Sequence, residues 1–564
     1  MAPTQPEDRI VVGIDFGTTM SGVAFAYSAK PEAPDDMHVV KNWPGANNVT
    51  SDKVPSELAY GHDGTVKWGY EIKPEQERLK CLKLLLETNK KFPSWATRET
   101  LDEQLRKCSK TAVDAVADYI KQLHKHTRAE LAKTLGSQMT NTTQIQYVLT
   151  VPAGWSDAAK AATLKAAKKA GMGSDFSLIS EPEAAIIYAL RSSQLKDLKV
   201  GDIFIICDAG GGTVDLIACE VKQLSPLRLE ESAMGIAELC GSRFLNMRFE
   251  ELVKSRVGQD KFNSLRQRKP KAFAIAMKYF DDYVKRNFDP ASSQEEYDDS
   301  KYNVPFPGVK DNPAAGIDCR FFILSTADVA EIHRPVIQEV LELVEKQKRI
   351  LGAYEKIARG LFLVGGFGQS GHLFKTLRST FAEEDPPPTY QETETEPVEL
   401  DPTRFIIMQP ANAWTAVVRG AVLSGIEGGN LITSRKSRRH YGVVHSSTFD
   451  PRWHSERNKY WDVVRKEWGA KNQIWWYIKR EQTVTAETAP KEHDTQSLSR
   501  SHVLCTLHVD MSRFPKRRWR KRTKNGNGCY QLDFDLGMQI ESGGLAFDLR
   551  IDEKVYGKVT ASFD

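Results

Sequence analysis

The sequence predicts an α/β fold followed by a separate, mostly antiparallel β domain. Two observations support the first part: apolar strands that end at glycine turns recur along the chain, and segments with helical periodicity lie between them. A third observation supports the second part, because apolar and polar residues alternate with a period of two after Gly425. At 564 residues the chain is too long for a single core. We therefore expect an α/β part at residues 9–426, a linker at 427–440 and a β domain at 441–564.

The bulk composition is that of an ordinary globular protein. Hydrophobic residues make up 40% and charged residues 27% of the chain, and the formal net charge is +4, which argues against global disorder and against nucleic-acid binding by bulk charge. No apolar stretch reaches the length of a membrane span, and the chain does not begin with the pattern of a secretory signal. The eight cysteines are scattered, with no C-x-x-C pair. We expect a cytoplasmic location, with a nuclear one as the alternative.

The first elements of the α/β part are a strand pair, helices and further strands. "RIVVGIDFGTTMSGVAFAYS" predicts two strands joined by a tight turn, and the pattern from Glu75 to about Gly136 is helical. "IQYVLTVPAGW" predicts a buried strand that ends at Pro152. A helix follows, with Ser156 as its N-cap and Gly171 at its end, and another helix begins near "EPEAAIIYAL".

The chain then repeats the same pattern up to residue 426. "IFIICDAGGGTVDLIACEV" predicts a strand, a glycine turn and a strand, and helical periodicity extends from Gly241 to Phe288. "EEYDDSKYNVPFPGVKDN" is rich in turn formers and predicts a surface insertion, after which a helix is expected from Val329 to about Arg349. The acidic, proline-rich segment at residues 383–400 predicts a mobile loop. "AWTAVVRGAVLSGI" closes this part.

Two matching segments carry residues suited to phosphate binding. "VVGIDFGTTMSGVAF" and "IFIICDAGGGTVDLIAC" each place Asp-x-Gly and small or hydroxyl residues between apolar strands. Glycine turns let backbone N–H groups approach phosphate oxygens, and Thr18, Thr19 and Thr213 add hydroxyl donors. Asp15 and Asp208 can bind Mg²⁺ through water, because magnesium keeps much of its hydration shell. Alternatively these are ordinary hairpins whose Asp and Gly shape the turns. Their repetition in apolar settings, where an unpaired Asp is costly, favours a site.

"LFLVGGFGQSGHLFKTL" contains a third glycine motif, which has three interpretations. Gly366, Gly368 and Gly371 fit the G-x-G-x-x-G fingerprint of dinucleotide binding, but that interpretation leaves both Asp-Gly hairpins unexplained. The P-loop pattern is nearly met, except that His372 and Leu373 replace its lysine and hydroxyl residue. The third interpretation is a nucleotide loop of another kind.

Together the three motifs resemble the actin-like ATPase superfamily, which includes actin, sugar kinases and heat shock protein 70. The resemblance implies two ribonuclease-H-like lobes, at about residues 9–200 and 201–426. It also implies that the phosphates of ATP or ADP lie between the hairpins and that a later Gly-Gly loop holds the adenosine, which favours the third interpretation above. The nucleotide-contacting residues implied are Asp15, Gly17, Thr18, Thr19, Gly210, Gly211, Gly212, Thr213, Gly365, Gly366 and Phe367.

Further motifs narrow the resemblance to heat shock protein 70. "LTVPAGWSDAAKAATLKAAKKAGM" and "LISEPEAAIIYAL" together resemble the connecting segment of that family, a pairing that sugar kinases lack. The resemblance implies that Glu181 and Asp215, with Asp208 and Thr213, serve catalysis by positioning the attacking water and the metal shell. If the resemblance is set aside, Glu181 can be interpreted as an acidic residue that interacts favourably with the dipole at a helix N-terminus and has no catalytic role.

Two more segments resemble nucleoside-binding parts of the family. "LCGSRFLN" is similar to the Gly-Gly-x-x-Phe turn and keeps Gly241 and Phe244. "DYVKR" is similar to the charged helix face that holds adenine and ribose, which makes Asp282, Lys285 and Arg286 candidate contacts. From composition alone, the two basic residues would be interpreted as a solvated helical face.

The chain departs from the family within the cleft. The phosphate-clamping lysine has no clear match, and Lys80 and Lys83 in "ERLKCLKLLLE" are weak candidates. Phe367 follows the glycines where the family has a serine, and Trp414 stands where an acidic residue closes the nucleotide cleft. These departures predict slow hydrolysis, or nucleotide binding as the main activity.

The carboxyl-terminal part departs further, because it lacks the family's linker, helical lid and acidic tail. This pattern resembles the divergent member-12 branch, which includes many fungal sequences. The basic run at residues 513–528 is interpreted as a solvated hairpin loop, with RNA, nuclear import and anionic lipid as alternatives. The aromatic residues of "QIWWYIK" are expected in the core of the β domain, with an exposed member that grips apolar peptide as the alternative.

The expected function is that of an ATP-binding, weakly hydrolysing protein of the heat shock 70 type, which uses Mg²⁺ and acts as a divergent chaperone or a nucleotide-gated protein-binding switch. Its expected partners are client proteins and co-chaperones, and no nucleic acid is expected. Two alternatives stay open: an ATP-binding scaffold without hydrolysis, and a small-metabolite or sugar kinase of the same superfamily.

Overall fold

The computed structural model describes residues 8–29, 33–61, 63–73, 76–87, 98–173, 175–193, 195, 198–290, 301–382, 404–428, 431–463, 465–485, 495–497, 505–508, 518–524, 527–532, 534–541, 544–551 and 554–562. The chain divides into two compact units, Met1–Ile432 and Thr433–Asp564. The loop predicted at residues 383–400 lies outside the described residues. The predicted domain limits remain predictions.

The amino-terminal part of the larger unit contains a mixed sheet and its helices. Its elements are β1 (Arg9–Phe16), β2 (Met20–Tyr27), β3 (His38–Val39), β4 (Val54–Pro55), β5 (Leu58–Tyr60), β6 (Val66–Trp68), α1 (Arg98–Lys107), α2 (Ala112–Leu135), α3 (Ser137–Thr142), β7 (Gln144–Val151), α4 (Asp157–Lys169), β8 (Phe176–Ser180) and α5 (Glu181–Ser192). The strands lie in the order β3-β2-β1-β7-β8, and β4 pairs with β2. β1 and β2 are antiparallel, whereas β7 runs parallel to β1 and β8 parallel to β7.

The next part of this unit repeats the same strand order. Its elements are β9 (Ile203–Ala209), β10 (Val214–Leu224), β11 (Leu227–Glu238), α6 (Arg243–Val257), α7 (Gln259–Arg268), α8 (Pro270–Tyr279), α9 (Lys285–Asn287), β12 (Lys301–Pro305), β13 (Ile317–Asp318), β14 (Phe321–Ser325), α10 (Thr326–Ala353), β15 (Gly360–Val364), α11 (Gly371–Phe381), β16 (Ile406–Met408) and α12 (Ala416–Ile426). β16, β15, β9, β10 and β11 lie side by side. β9–β10 is antiparallel and β15 runs parallel to β9. Both predicted hairpins are therefore confirmed, and each occupies the same place in its sheet.

The local signals for helix ends are confirmed, and the predicted surface insertion contains a strand. The Ser156 side chain accepts a hydrogen bond from the backbone N–H of Ala159 at 3.2 Å, as an N-cap does. Gly171 has a φ of +83° directly after the helix. The predicted surface insertion contains strand β12, which pairs antiparallel with β14, so its described part belongs to a small sheet.

Helices α5 and α12 share a core with strands from both sheets. That core contains Val11 and Val148 of the first sheet and Phe204 and Phe362 of the second, together with side chains from both helices. The helices approach so closely that a Cβ at Gly420 would lie 1.7 Å from the carbonyl oxygen of Ala184 in α5. Only a residue without a side chain fits at this crossing, and the contact fixes both sheets relative to each other.

The described residues of the smaller unit form antiparallel strand pairs, as the period-two alternation predicts. They are β17 (Ile432–Lys436), β18 (Tyr441–Thr448), β19 (Lys459–Asp462), β20 (Glu467–Ile478), β21 (Thr483–Thr485), β22 (Thr495–Ser497), β23 (Thr506–His508), β24 (Arg520–Lys524), β25 (Asn527–Gln531), β26 (Asp535–Glu541), β27 (Gly544–Ile551) and β28 (Lys554–Ser562). β18, β20 and β19 form one sheet, and β23, β28, β27 and β26 form another. The segment predicted as a linker contains strand β17, which pairs with β21.

Two predictions for this unit can be compared with its structure. Within the basic run, β24 pairs with β25 to form a hairpin, and residues 513–517 and 525–526 lie outside the described residues. Among the aromatic residues of "QIWWYIK", Trp475 lies outside the core, with an exposed fraction of 39%, which matches the alternative that one member is exposed. In the described parts of both units, no helix is long and apolar enough to cross a bilayer.

Candidate functional site

A cleft of about 490 Å³ lies in the larger unit, where the turns of the two hairpins meet. The predicted site residues that line it are Asp15, Gly17, Thr18, Thr19, Glu181, Asp208, Gly210, Gly211, Gly212, Thr213, Lys285, Arg286, Gly365, Gly366 and Phe367. Lys80, Lys83 and Trp414 line it as well. Three predicted residues, Asp215, Gly241 and Asp282, are not among the lining residues.

The two hairpin turns are in direct contact, and glycine is needed at the contact. A Cβ at Gly211 would lie 2.1 Å from the hydroxyl oxygen of Thr19. A Cβ at Gly212 would lie 3.0 Å from the methyl carbon of Thr18. Because no side chain covers these glycines, their backbone N–H groups can approach a ligand closely.

The turn after β9 is held by the segment before α6. The backbone N–H groups of Ser242 and Arg243 donate to the carbonyl oxygens of Gly210 and Gly211, at 3.1 and 2.8 Å. A Cβ at Gly241 would lie 2.6 Å from the Gly211 carbonyl carbon and oxygen. Gly241 therefore supports the turn from outside the cleft rather than lining it.

The third glycine motif lies against the end of β9. Gly365 has a φ of +90°, and a Cβ there would lie 2.4 Å from both the Ala209 carbonyl oxygen and the Asp208 Oδ1. The backbone N–H groups of Phe367 and Gly368 donate to the same Ala209 oxygen, at 2.8 and 3.1 Å. The Phe367 side chain packs into the hydrophobic core, so the departure from serine adds core packing here.

The structure distinguishes between the two candidate lysines. Lys83 is buried, forms an ion pair with Glu181, and lies 5.6 Å from the Trp155 ring centroid. Lys80 is half-exposed and pairs with Glu57 at 3.5 Å. Lys83 is therefore the lysine held among the acidic residues of the cleft.

A second buried lysine, Lys53, was not found from the sequence. Its Nζ lies 2.6 Å from Asp15 Oδ2, and both side chains are 7% exposed. Thr150 donates to the other oxygen of Asp15 at 3.2 Å. No local motif marks Lys53, because the pairing of β4 with β2 brings it to an aspartate 38 positions earlier in the chain.

Two acidic residues of the cleft, Glu181 and Asp208, have raised pKa values. Burial raises the pKa of Glu181 to about 7, and the charges of Asp15 and Asp215 add to the effect, although Lys83 opposes it. Burial also raises the pKa of Asp208 well above its ordinary value, and the neighbouring carboxylates, Glu181 first, raise it further. Their mutual repulsion means that a bound cation would stabilise the ionised forms.

We expect Asp208→Asn to stabilise the protein at pH 8 when no ligand is bound. Between the ordinary pKa of a carboxyl group and its raised value in the fold, the folded chain holds a proton that the unfolded chain has lost. The contribution of such a carboxyl group to the free energy of unfolding is complete below its ordinary pKa. It is lost as the pH rises through the pKa in the folded protein, which for Glu181 is about 7. Asn at position 208 carries no charge, so the part of this pH-dependent loss of stability that Asp208 causes should disappear in the variant.

The measurement is urea unfolding at pH 5.5 and pH 8. The free energy of unfolding should fall between these values more steeply in the wild type than in Asp208→Asn. Asp282→Asn is the control, because that carboxylate is partly exposed and pairs with Lys278 at 2.5 Å. An Asp208→Asn protein that is less stable than the wild type at pH 8 would contradict the assignment.

A π-helical turn between α8 and α9 forms part of the wall of the cleft. The turn covers Phe280–Val284, and the N–H of Lys285 donates to the Phe280 carbonyl oxygen five residues earlier. Asp281 and Lys285 line the cleft and form an ion pair. Asp282, the residue that the resemblance implies, is not among the lining residues and pairs with Lys278 at 2.5 Å and with Arg286 at 3.9 Å.

Trp414 and Arg286 form the adjoining wall of the cleft. The guanidinium carbon of Arg286 lies 5.2 Å from the ring centroid of Trp414, a cation–π distance. A Cβ at Gly366 would lie 3.3 Å from the indole Nε1. Lys285 donates to the side-chain oxygen of Asn246 at 2.9 Å. Planar groups and a bare glycine backbone meet here, an arrangement suited to a flat heterocycle.

The carboxylates suit a magnesium ion that keeps its water. Among the described residues, no group of three or more His, Cys, Asp or Glu side chains is arranged to hold a metal directly. Magnesium often binds through one or two carboxylates and several waters. Asp15 lies near the end of β1 and Asp208 near the end of β9, and both line the cleft.

Known proteins of the heat shock 70 group are similar to this chain in sequence. Residues 86–241 match the family model described as "Hsp70 protein". Human heat shock 70 kDa protein 12A is 23% identical over 520 residues, covering 77% of this chain and 72% of that protein. Human heat shock 70 kDa protein 12B is 25% identical over 542 residues, covering 80% and 74%.

A bacterial relative matches over a shorter region. The chaperone protein HscA homolog of Acinetobacter baumannii is 30% identical over 230 residues, which cover 38% of this chain and 33% of that protein. The resemblance predicted from the motifs is confirmed by these matches. The chain is homologous to heat shock 70 proteins, with the 12A and 12B proteins among its relatives, and its larger unit is mixed α/β, as the actin-like ATPase fold of that family implies.

Proposed function

We propose that this protein binds ATP and ADP with Mg²⁺ in the cleft, hydrolyses ATP slowly, and uses the nucleotide state to control binding of other proteins, as a divergent chaperone. The observation that carries the proposal is the direct contact between the two glycine turns, with buried carboxylates and lysines beside them. The triphosphate would lie between the turns, and the adenosine between Gly366, Arg286 and Trp414.

Each buried group has a distinct role in this proposal. Magnesium, when bound, would neutralise charge on the phosphates through the water shell that Asp15 and Asp208 hold. Glu181 would orient the attacking water and accept its proton, a role suited to a carboxylate with a pKa of about 7. Lys83 would hold Glu181 in place and offer positive charge to the transferred phosphoryl group. Thr213 and Asp215 would complete the hydrogen bonds around the water and the metal shell.

The ion pair between Glu181 and Lys83 is the reason why hydrolysis is proposed to be slow. Glu181 is tied to Lys83 by an ion pair in the nucleotide-free protein, and that pair must loosen before the carboxylate can bind water. The single-turnover rate of ATP hydrolysis tests this role. We expect Glu181→Gln to lower it by about 100-fold or more, because an amide cannot accept the proton.

Glu183→Gln is the matched control for that experiment. Glu183 lies in the first turn of the same helix and forms a capping box with Ser180, a role that glutamine can also fill. It should keep the wild-type hydrolysis rate. Equal rates in Glu181→Gln and the wild type would contradict the proposed catalytic role.

The experiment also tests the two alternatives. Tight ATP binding without turnover in any version would indicate an ATP-binding scaffold. ADP formation that requires a small hydroxyl compound would indicate a kinase. The matches to heat shock 70 proteins favour neither alternative.

The chaperone role is supported by family likeness and by the antiparallel strands of the smaller unit. In the proposal, the larger unit consists of two ribonuclease-H-like lobes, which close differently on ATP and ADP, and the β domain binds client proteins in response. Co-chaperones would act on this cycle, in a cytoplasmic or nuclear location. Equal affinity for an unfolded apolar peptide in ATP and ADP would contradict the switching part.

A further inference from the structure

The pairing of Lys53 with Asp15 places a fixed cation inside the predicted phosphate site. The two charged atoms are 2.6 Å apart, and both side chains are nearly excluded from water. Both residues line the cleft between the hairpin turns. A buried ion pair of this kind is held by geometry and by additional hydrogen bonds, and Thr150 supplies one to Asp15.

The strand pairing that brings Lys53 to this position also leaves room for it. Strand β4 begins at Val54 and pairs with β2, with Val54 opposite Ser21. The next residue of β2 is Gly22, and a Cβ there would lie 3.3 Å from Lys53 Cγ and 3.4 Å from its Cε. The aliphatic part of the lysine therefore lies against a bare glycine, which directs the ammonium group into the cleft at Asp15.

We infer that Lys53 is a built-in counter-cation of the phosphate site, which neutralises Asp15 in the nucleotide-free protein and contacts the polyphosphate once nucleotide binds. This inference rests on the proposed function. Asp15 then has a counter-charge without a metal ion. Mg²⁺ therefore contributes less to nucleotide affinity than it would if the charges of Asp15 and Asp208 were both uncompensated. A purely structural lysine would stabilise Asp15 but would have no contact with nucleotide.

The test is the equilibrium affinity of the full chain for ATP in excess Mg²⁺ and in excess EDTA. Lys53→Met removes the cation but leaves Asp15 buried and uncompensated, so it can impair folding. The double variant Asp15→Asn, Lys53→Met removes both charges and is therefore the decisive protein. Lys41→Met is the control, because Lys41 is 55% exposed and pairs with Asp52 in the same segment.

We expect the double variant to bind ATP in EDTA at least about tenfold more weakly than the wild type, because a charge-assisted contact to phosphate is lost. Lys41→Met should match the wild type. Unchanged ATP affinity of the double variant in EDTA would overturn the inference and leave the proposed function intact. A wild-type protein that binds no ATP under either condition would overturn both.

Discussion

Gly420→Ala is expected to destabilise the larger unit by roughly 3 kcal/mol or more. The added Cβ would lie 1.7 Å from the carbonyl oxygen of Ala184, a backbone atom that no side-chain movement can relieve. Helices α5 and α12 would have to separate, and strands of both sheets pack on them. One added methyl group would therefore disturb the packing of the core that joins the two sheets.

Gly352→Ala is the matched control for this prediction. Gly352 is also a helical glycine, but no atom outside its own helix lies within 4 Å of the position of the new Cβ. It should leave stability unchanged or raise it by up to about 1 kcal/mol, because alanine is the better helix former. Urea unfolding followed by circular dichroism measures both. Equal midpoints of urea unfolding for the two variants would contradict the close contact between α5 and α12.

Lys83→Met is expected to have the second large effect, a loss of about 3–5 kcal/mol of unfolding free energy at pH 8. The substitution leaves Glu181 buried without the cation that it contacts. At pH 6 the loss should be smaller, because Glu181, whose pKa is already raised to about 7, then takes up a proton instead of remaining ionised.

The double variant Lys83→Met, Glu181→Gln separates the ion pair from other contributions of the lysine. It removes both charges, so most of the lost stability should return, and the pH dependence of the remaining loss should disappear. A double-mutant cycle in urea at the two pH values gives the coupling energy directly. Strictly additive losses would mean that the two groups do not interact in solution.

The parts of the fold that are determined by residues close together in the sequence could be predicted from it. Each glycine hairpin is encoded by one apolar run, a turn and a second run, and the N-cap of α4 by Ser156 alone. The cleft glycines were identified for the same reason, since a turn that lacks side chains is visible in a short segment. Repetition of the motif then suggested that the turns act together.

The residues that were missed depend on contacts between distant segments. Lys53 reaches Asp15 only because β4 pairs with β2, and a lysine before a two-residue strand carries no signal of its own. The family resemblance implies Asp282 as a contact, whereas the side chain that lines the cleft is that of Asp281, which lies in the π-helical turn Phe280–Val284. The exposed Trp475 has a similar cause, because alternation along β20 does not say which face of the sheet is covered.

The measurement that tests the central claim most directly compares the affinities of the wild-type full chain for ATP and for adenosine in excess Mg²⁺. If the two glycine turns form a phosphate site, isothermal titration calorimetry should give an affinity for ATP at least about 100-fold higher than for adenosine, since several charge-assisted hydrogen bonds are made only with the phosphates. Equal affinities, or adenosine binding without ATP binding, would contradict the claim that this cleft holds a nucleotide by its phosphates.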